Sequence, residues 1–369
     1  MAKTPRGNRV HIALFGRRNA GKSSLLNALT RQDVAIVSDV AGTTTDPVEK
    51  PMELLPIGPV VFIDTAGIDD CGALGALRVQ KTRQVFDRAD VAIIVTQAGE
   101  WTDFEASLAL ELQRLDTPMI AVFNKADQGR PTSETKGQLM ADGTLVVESI
   151  AIEGAGLLEL REALIQSVPK ELLDPPVIVG DLVPAGEMAV LVVPIDMEAP
   201  KGRLILPQVQ TIRDLLDSDA YCMVVKEREL RDALQRLNRP PALVVTDSQA
   251  FLRVSADTPP NIPLTSFSIL FARNKGDLAE FVRGAMAIDQ LQTGARILVC
   301  EACTHHPIGD DIGRVKIPRW LRQYVGSELH FEHYQGHDFP EHVTRYDLVI
   351  HCGSCVNNRR EMLSRIMRC

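Results

Sequence analysis

Gly16-Arg-Arg-Asn-Ala-Gly-Lys22-Ser23 sets two glycines, a lysine and a hydroxyl in the spacing GxxxxGKS, and the chemistry open to that group is phosphate binding. In such a loop the backbone N–H groups from Gly16 through Asn19, Ala20, Gly21, Lys22, Ser23 and Ser24 can converge on phosphate oxygens. Lys22 neutralises the β and γ charges, and the Ser23 hydroxyl can ligate Mg²⁺ at a helix N-terminus. A chance match in a glycine-rich turn is the bland alternative, and two further groups weaken it. Asp64-Thr-Ala-Gly67 offers a carboxylate for the water shell of Mg²⁺ and a glycine able to approach a γ-phosphate. Asn124-Lys125-Ala-Asp127 offers a carboxylate that accepts two hydrogen bonds from guanine N1 and N2, a pairing adenine cannot provide. Charged hydrogen bonds of this kind contribute about 1.5–3 kcal/mol, so the base read is guanine. Between the first two groups, Ser38-Asp-Val-Ala-Gly-Thr-Thr-Thr-Asp46 is a polar loop suited to ordering around γ-phosphate and Mg²⁺. Thr44 is the choice for the Mg²⁺-sensing hydroxyl, with Thr43 the alternative. Lys22, Asn19 and Thr44 are the residues expected to act in hydrolysis.

A second concentration of chemistry lies far downstream. Five of the seven cysteines and seven of the eight histidines follow residue 299, and four of those cysteines and three of those histidines fall in two clusters, Cys300-Glu-Ala-Cys-Thr-His-His-Pro307 and His351-Cys-Gly-Ser-Cys355. Soft ligands gathered in this way suit zinc or an iron–sulfur cluster. A redox pair of Cys300 and Cys303 fits poorly, because Pro307, Gly309 and Asp310 stand where a helix should continue. Structural zinc on Cys303, His305, Cys352 and Cys355 fits the ligand types and spacing. An iron–sulfur cluster on Cys303, Cys352 and Cys355, with a non-cysteine or open fourth position, fits equally well on residue chemistry alone. A polar strand edge is the bland reading, and the twofold coincidence of cysteine with histidine argues against it. Cys222 sits in an apolar run and reads as a small buried hydrophobe, while Cys71 and Cys369 have no partner in the sequence. His330, His333, His337 and His342 read as surface or loop residues.

Both sets of residues need elements to hold them. The apolar run at 10–15 feeds the phosphate loop, the amphipathic SLLNALTRQ follows it, and the runs at 60–63 and 118–123 end at the other two groups. Motifs at the ends of successive strands predict a parallel α/β domain. The spacing places a P-loop domain over residues 1–170 and a small α/β domain over 177–258, with a third α/β domain over 264–369. Proline-rich stretches near 169–176 and 259–263 separate them. In the middle domain VIVG, MAVLVVPI, AYCMVV and ALVVT read as strands, and Asp196, Lys201 and Arg203 read as a solvated turn. In the last, NKGDLAEFVRGAMAIDQL reads as one helix. The runs at 296–299 and 346–350 read as strands whose tips carry the two cysteine clusters. If those strands are parallel neighbours the clusters meet at one sheet edge, and the helix after Cys355 aims its N-terminus at an anionic cofactor.

The 369 residues predict two or three domains, each with its own core. The net charge of −8 is spread without a long single-sign run, which argues against nucleic acid as the main partner. Neither a signal peptide nor a membrane span is expected, and an odd number of cysteines suits a reducing compartment, so a cytoplasmic location is predicted.

The P-loop with its Gly-Thr-Thr loop resembles the GTPases of the Era and tRNA-modifying type. That resemblance implies a potassium ion beside the phosphates, bound through Asn19, in place of an arginine finger. Ile68 follows Asp64-Thr-Ala-Gly67 where Ras-like proteins carry a water-orienting glutamine, so slow, cation-assisted hydrolysis is expected. Ile150-Ala151 replaces the serine of the usual base-supporting motif, leaving the Ala151 backbone N–H to meet the base. Cys303-x-His305, forty-five residues, then His351-Cys352-x-x-Cys355 resembles the CxH…HCxxC signature of the [FeFe]-hydrogenase maturation GTPases, the HydF family. The runs FGRRNAGKSSLLNAL and SDVAGTTTDPVEKPMELLPIGPVVFIDTAGIDD carry the same likeness, which covers essentially the whole chain. It implies a GTPase domain, a dimerisation domain and a domain holding a [4Fe–4S] cluster on Cys303, Cys352 and Cys355, with His305 or His351 as a labile fourth ligand. It further implies a homodimeric scaffold that binds GTP/GDP, Mg²⁺ and K⁺. Such a scaffold receives a diiron precursor from two radical-SAM maturases and delivers the diiron subcluster to apo-hydrogenase. The competing expectation, a potassium-dependent GTPase acting on RNA with a zinc-stabilised tail, needs a basic or aromatic nucleic-acid surface that the sequence lacks.

Overall fold

The computed structural model describes residues 5–30, 47–65, 83–173, 176–195, 204–302 and 311–369. Thr43, Thr44, Gly67, Ile68, Cys71, the 196–203 turn, Cys303 and His305 lie outside the described residues. The chain divides into two compact units, Met1–Pro175 and Pro176–Cys369.

In the first unit Val10–Phe15 (β1), Val91–Gln97 (β4) and Met119–Asn124 (β5) are apolar on both faces and buried along nearly their whole length, as strands covered from two sides must be. With Val48–Leu54 (β2), Gly58–Asp64 (β3) and Leu145–Glu148 (β6) they form a sheet of order β2-β3-β1-β4-β5-β6. All its pairings are parallel except β2 with β3. Alternate residues sort to opposite faces. Ile12, Leu14, Phe62, Ile93 and Val122 pack with Leu25, Leu26 and Leu29 of the helix Lys22–Thr30 and with Leu160 and Leu164 of Leu157–Ser167. Phe15, Ile63 and Ile94 pack on the other side with Leu108 and Leu112 of Asp103–Arg114. Each such side chain contributes roughly 1.5–3 kcal/mol on burial, so the sheet that carries the phosphate loop is rigid. Thr102 and Glu105 close a capping box at the start of Asp103–Arg114, which fixes where that helix begins beside the loop.

The second unit carries two further parallel sheets. Met188–Val192 (β7), Tyr221–Val225 (β8), Leu243–Thr246 (β9) and Leu264–Ser266 (β10) run in the order β10-β9-β7-β8. Arg296–Glu301 (β11), His330–Gln335 (β12) and Leu348–His351 (β13) run in the order β12-β11-β13.

Three expectations need correction here. VIVG is not a strand: the N–H groups of Ile178, Val179 and Gly180 all donate to Asp214 Oδ2, at 3.1, 2.8 and 2.8 Å, and have none left for a ladder. The boundary at 264 is also misplaced. Leu264–Ser266 pairs with β9, and Phe267, Leu270 and Phe271 of the following helix Phe267–Lys275 complete the core under β7 and β9. The helix foreseen over 274–291 is broken, because Asn274 and Lys275 finish Phe267–Lys275 and Asp277 caps a new helix, Leu278–Met286. Extended Gly276 makes the break, and a Cβ there would lie 2.5 Å from the Phe281 ring.

Candidate functional site

β1 delivers the chain to Gly16 in a conformation few residues could take. Gly16 has φ +143°, and a Cβ on it would lie 2.1 Å from the Val95 carbonyl oxygen of the neighbouring β4. Gly21 repeats the constraint, with φ +93° and a virtual Cβ 2.1 Å from Asn124 Nδ2. The phosphate loop is therefore pressed against the tips of β4 and β5. Lys22 Nζ donates to the carbonyls of Gly16 at 2.9 Å and Arg17 at 2.7 Å, which holds the ammonium inside the loop. Arg17 itself is pinned outside it, to Thr102 and to Glu105 at 3.0 Å, and lies over the Phe104 ring. Asn19, in the left-handed conformation at φ 61°, is exposed at the crest of the loop, and Ser24 follows Ser23 in the first helical turn.

Ser23 Oγ donates to Asp64 Oδ2 at 2.7 Å, so the two side chains expected at a metal meet at the end of β3. Asp64 Oδ1 is buried with no hydrogen-bond partner among the described residues. Burial pushes the Asp64 carboxyl up, against the Ser23 hydrogen bond and the Lys22 charge. An orphaned carboxylate oxygen beside a hydroxyl fits the inner and outer shell of Mg²⁺.

At the end of β5, Asn124 ties the loops together. Its Nδ2 donates to the Ala20 carbonyl at 3.0 Å, and its Oδ1 accepts from the Ala151 N–H at 3.1 Å and the Ser149 hydroxyl at 3.3 Å. The Ala151 N–H, expected to face the base, is thus given to Asn124. Ser149 is a residue that sequence reasoning missed: it sits one position ahead of the usual serine, and only β6 pairing with β5 shows that it reaches Asn124. Lys125, at φ 56°, donates to Gln97 at 3.0 Å, and Asp127 is exposed.

In the second unit β11 and β13 are parallel neighbours with Cys300 opposite His351, so the two cysteine clusters leave one edge of one sheet. Cys352 is an exposed residue whose sulfur accepts the Ala302 N–H at 3.1 Å, which puts the residue preceding Cys303 in contact with the second cluster. Cys355 is half-buried against the Phe267–Lys275 core. Gly353 lets the loop sit on that helix, since a Cβ would lie 3.1 Å from both Phe271 Cβ and the Ser268 carbonyl oxygen. Ser354 takes the left-handed conformation at φ 56°. Ser354 Oγ and Asn357 Nδ2 are buried with no hydrogen-bond partner among the described residues. Two thiols in one turn with orphaned polar groups beside them fit a sulfur-rich anionic group, whose ligands would be Cys352, Cys355 and Cys303. Among the described residues no three histidine, cysteine or acidic side chains are gathered for a metal. Burial pushes the thiol of Cys355 up to about 11, so metal binding there displaces a proton.

Cys300 is fully buried at the end of β11, its thiol pushed by burial up to about 12, as suits a packed side chain. His351 is not open on either nitrogen: Arg365 donates to Nε2 at 2.7 Å, and Nδ1 meets the Cys352 carbonyl at 2.8 Å. Burial and the Arg365 charge lower its pKa to about 4, so the ring is neutral. His337, read as a surface or loop residue, is exposed in a turn, and its Nδ1 lies 3.1 Å from both carboxylate oxygens of Glu361.

Residues 178–276 match the model of the hydrogen maturase F dimerization domain, and residues 279–369 that of the hydrogen maturase F tetramerization domain. Residues 11–125 match a 50S ribosome-binding GTPase domain. The tRNA modification GTPase MnmE of Synechococcus sp. (strain JA-3-3Ab) is 40% identical over 164 residues, which is 43% of this chain and 34% of that protein. The MnmE of Laribacter hongkongensis is 38% identical over 162 residues, 43% of this chain and 35% of that protein. The chain thus spans about a third of the length of these curated relatives. A structure of a point variant of Aquifex aeolicus Era bound to GDP.AlF4- aligns over 88% of this chain and 92% of that one, at 19% identity and a TM-score of 0.39. Among the described residues no helix is long and apolar enough to cross a membrane.

Proposed function

The chain belongs to the hydrogen maturase F (HydF) family, and from that premise we propose a GTP-binding and GTP-hydrolysing scaffold of [FeFe]-hydrogenase maturation. In this reading it holds a [4Fe–4S] cluster, accepts a diiron precursor as cargo from two radical-SAM maturases, and hands the diiron subcluster to apo-hydrogenase. The observation that carries it is the Ala302 N–H bonded to Cys352 Sγ at 3.1 Å, in a chain whose other unit is a P-loop domain.

In the first unit the residues act on phosphate and base. Lys22 exchanges its carbonyl acceptors for phosphate oxygens, and Ser23, Asp64 and Thr44 hold Mg²⁺. Asn19, exposed at the loop crest, supplies an amide oxygen to K⁺, and Asp127 reads the guanine edge. Gly67 and the 38–46 segment respond to the γ-phosphate. Hydrolysis measured in K⁺ against Na⁺ tests the Asn19 role, which equal rates would remove.

In the second unit the protein is a holder. Cys303, Cys352 and Cys355 supply three thiolates, and a cluster so bound offers one iron with an exchangeable position. A weak bond there can be given up to cargo without dismantling the rest. The sheet β10-β9-β7-β8 ends at the half-exposed edge strand β8, which suits pairing with a second copy in a homodimer. Hydrolysis then regulates the scaffold's partners in the cytoplasm and is no part of the cargo's chemistry.

The deciding experiment is anaerobic reconstitution of the full chain with iron and sulfide, read by absorption and EPR. Cys303→Ser, Cys352→Ser and Cys355→Ser should each lose the cluster while Cys222→Ser keeps it. Stoichiometric zinc with no cluster, or equal loss in all four variants, would sink the reading.

A further inference from the structure

We propose that Arg365 is a positioning residue that keeps His351 out of the metal's coordination shell, so that the fourth position belongs to another donor. The proposal rests on the cluster reading above and deepens it.

Arg365 lies on the helix Arg359–Arg368 and is buried, with 4% of its surface exposed. One terminal nitrogen donates to His351 Nε2 at 2.7 Å. The other donates to the Gly336 carbonyl at 2.7 Å and to Glu361 Oε1 at 2.6 Å. The guanidinium carbon lies 5.4 Å from the centre of the Phe339 ring. Its carboxylate partner is fixed in turn, since the Glu361 N–H donates to Asn358 Oδ1 at 3.3 Å and His337 Nδ1 lies 3.1 Å from both Glu361 oxygens. The arginine has no freedom to swing away without breaking several bonds at once.

A guanidinium has donors only, so the nitrogen it meets must accept. The proton of the neutral ring is therefore on Nδ1, where it is donated to the Cys352 carbonyl oxygen at 2.8 Å. The one in-plane lone pair a neutral imidazole could give a metal is the Nε2 pair, and it is spent on Arg365. Ligation by His351 would leave a buried guanidinium N–H without an acceptor.

A second observation points the same way. His351 and Arg365 line an apolar cavity of about 1130 Å³ with Phe281, Leu321, Phe339 and Met362. Neither Cys352 nor Cys355 is among the described residues lining it.

The test has two readouts. In the metal-free full chain labelled with ¹⁵N-histidine, long-range ¹H–¹⁵N correlation should show His351 as the Nδ1–H tautomer. The Nε2–H tautomer would overturn the proposal, whatever the chain does with iron. In the reconstituted full chain, electron spin-echo envelope modulation should be the same in wild type and His351→Gln, with unchanged iron content. Arg365→Met should add the strong nitrogen coupling of a bound imidazole, lost again in the Arg365→Met/His351→Gln double variant. A strong imidazole coupling in wild type that His351→Gln abolishes would also overturn it. A chain that takes up no cluster defeats the reading of the site, and the tautomer alone then decides the positioning role.

Discussion

Asn124 shows how one side chain can tie together the loops around a site. Its amide joins the Ala20 carbonyl, the Ala151 N–H and the Ser149 hydroxyl, so the phosphate loop and the β6 loop are held to the tip of β5 by one group. The sequence made Asn124 legible through its neighbours Lys125 and Asp127. It hid Ser149, because the motif is recognised by register and here the hydroxyl arrives one residue early. Asp127, exposed beside this knot, is free to meet a base. Asp127→Asn should weaken guanine nucleotides roughly 10–150-fold, the equivalent of a charged hydrogen bond, and gain xanthine nucleotides. Competition binding with GTP and XTP checks this, and an unchanged preference would remove the base-reading role.

Among the elements, Phe267–Lys275 does two jobs. It closes the core beneath β7 and β9, and it is the seat on which the Cys352–Cys355 turn rests through Gly353. The helical pattern at 274–291 concealed this, since a continuous amphipathic run absorbed Asn274 and Lys275 into the wrong element. What separates them is Gly276 with the Asp277 cap, a local stop that periodicity alone does not weigh. The parallel pairing of β11 with β13 was legible as a condition, because both cysteine clusters stand at the tips of apolar runs. The Arg365 contact was not, since which face of a helix meets a given strand is set by tertiary packing. Gly353→Ala puts a methyl against the Ser268 carbonyl oxygen and Phe271 Cβ at 3.1 Å, so the turn must lift. Iron retained after gel filtration should fall several-fold while the secondary structure is unchanged; full retention would mean that the seat is not needed.

At the scale of the whole molecule, the two units were legible from the proline-rich stretch near 169–176, where the chain divides. The finer split at 258–264 was not, because a three-residue strand, Leu264–Ser266, carries too little pattern to show which sheet it joins. In β8, which ends its sheet among the described residues, Tyr221 and Val224 are half exposed, within the segment that matches a dimerization domain. Val224→Lys should shift the protein toward monomer, read by light scattering, without loss of GTP binding in the other unit. A variant still fully associated would place the interface elsewhere.

The bond from Ala302 to the Cys352 sulfur spans fifty residues of sequence, and it is the β11–β13 ladder that brings its two ends together. A slip of one residue in that pairing would turn the strands' side chains to the opposite face. The ladder is therefore a checkpoint in time as well as a ruler. A chain synthesised only as far as residue 350 has Cys303 but neither of its partners. On the proposed ligand set, metal uptake must wait until the last strand of the sheet has docked, and a misregistered or half-made protein would be left without a place to put iron.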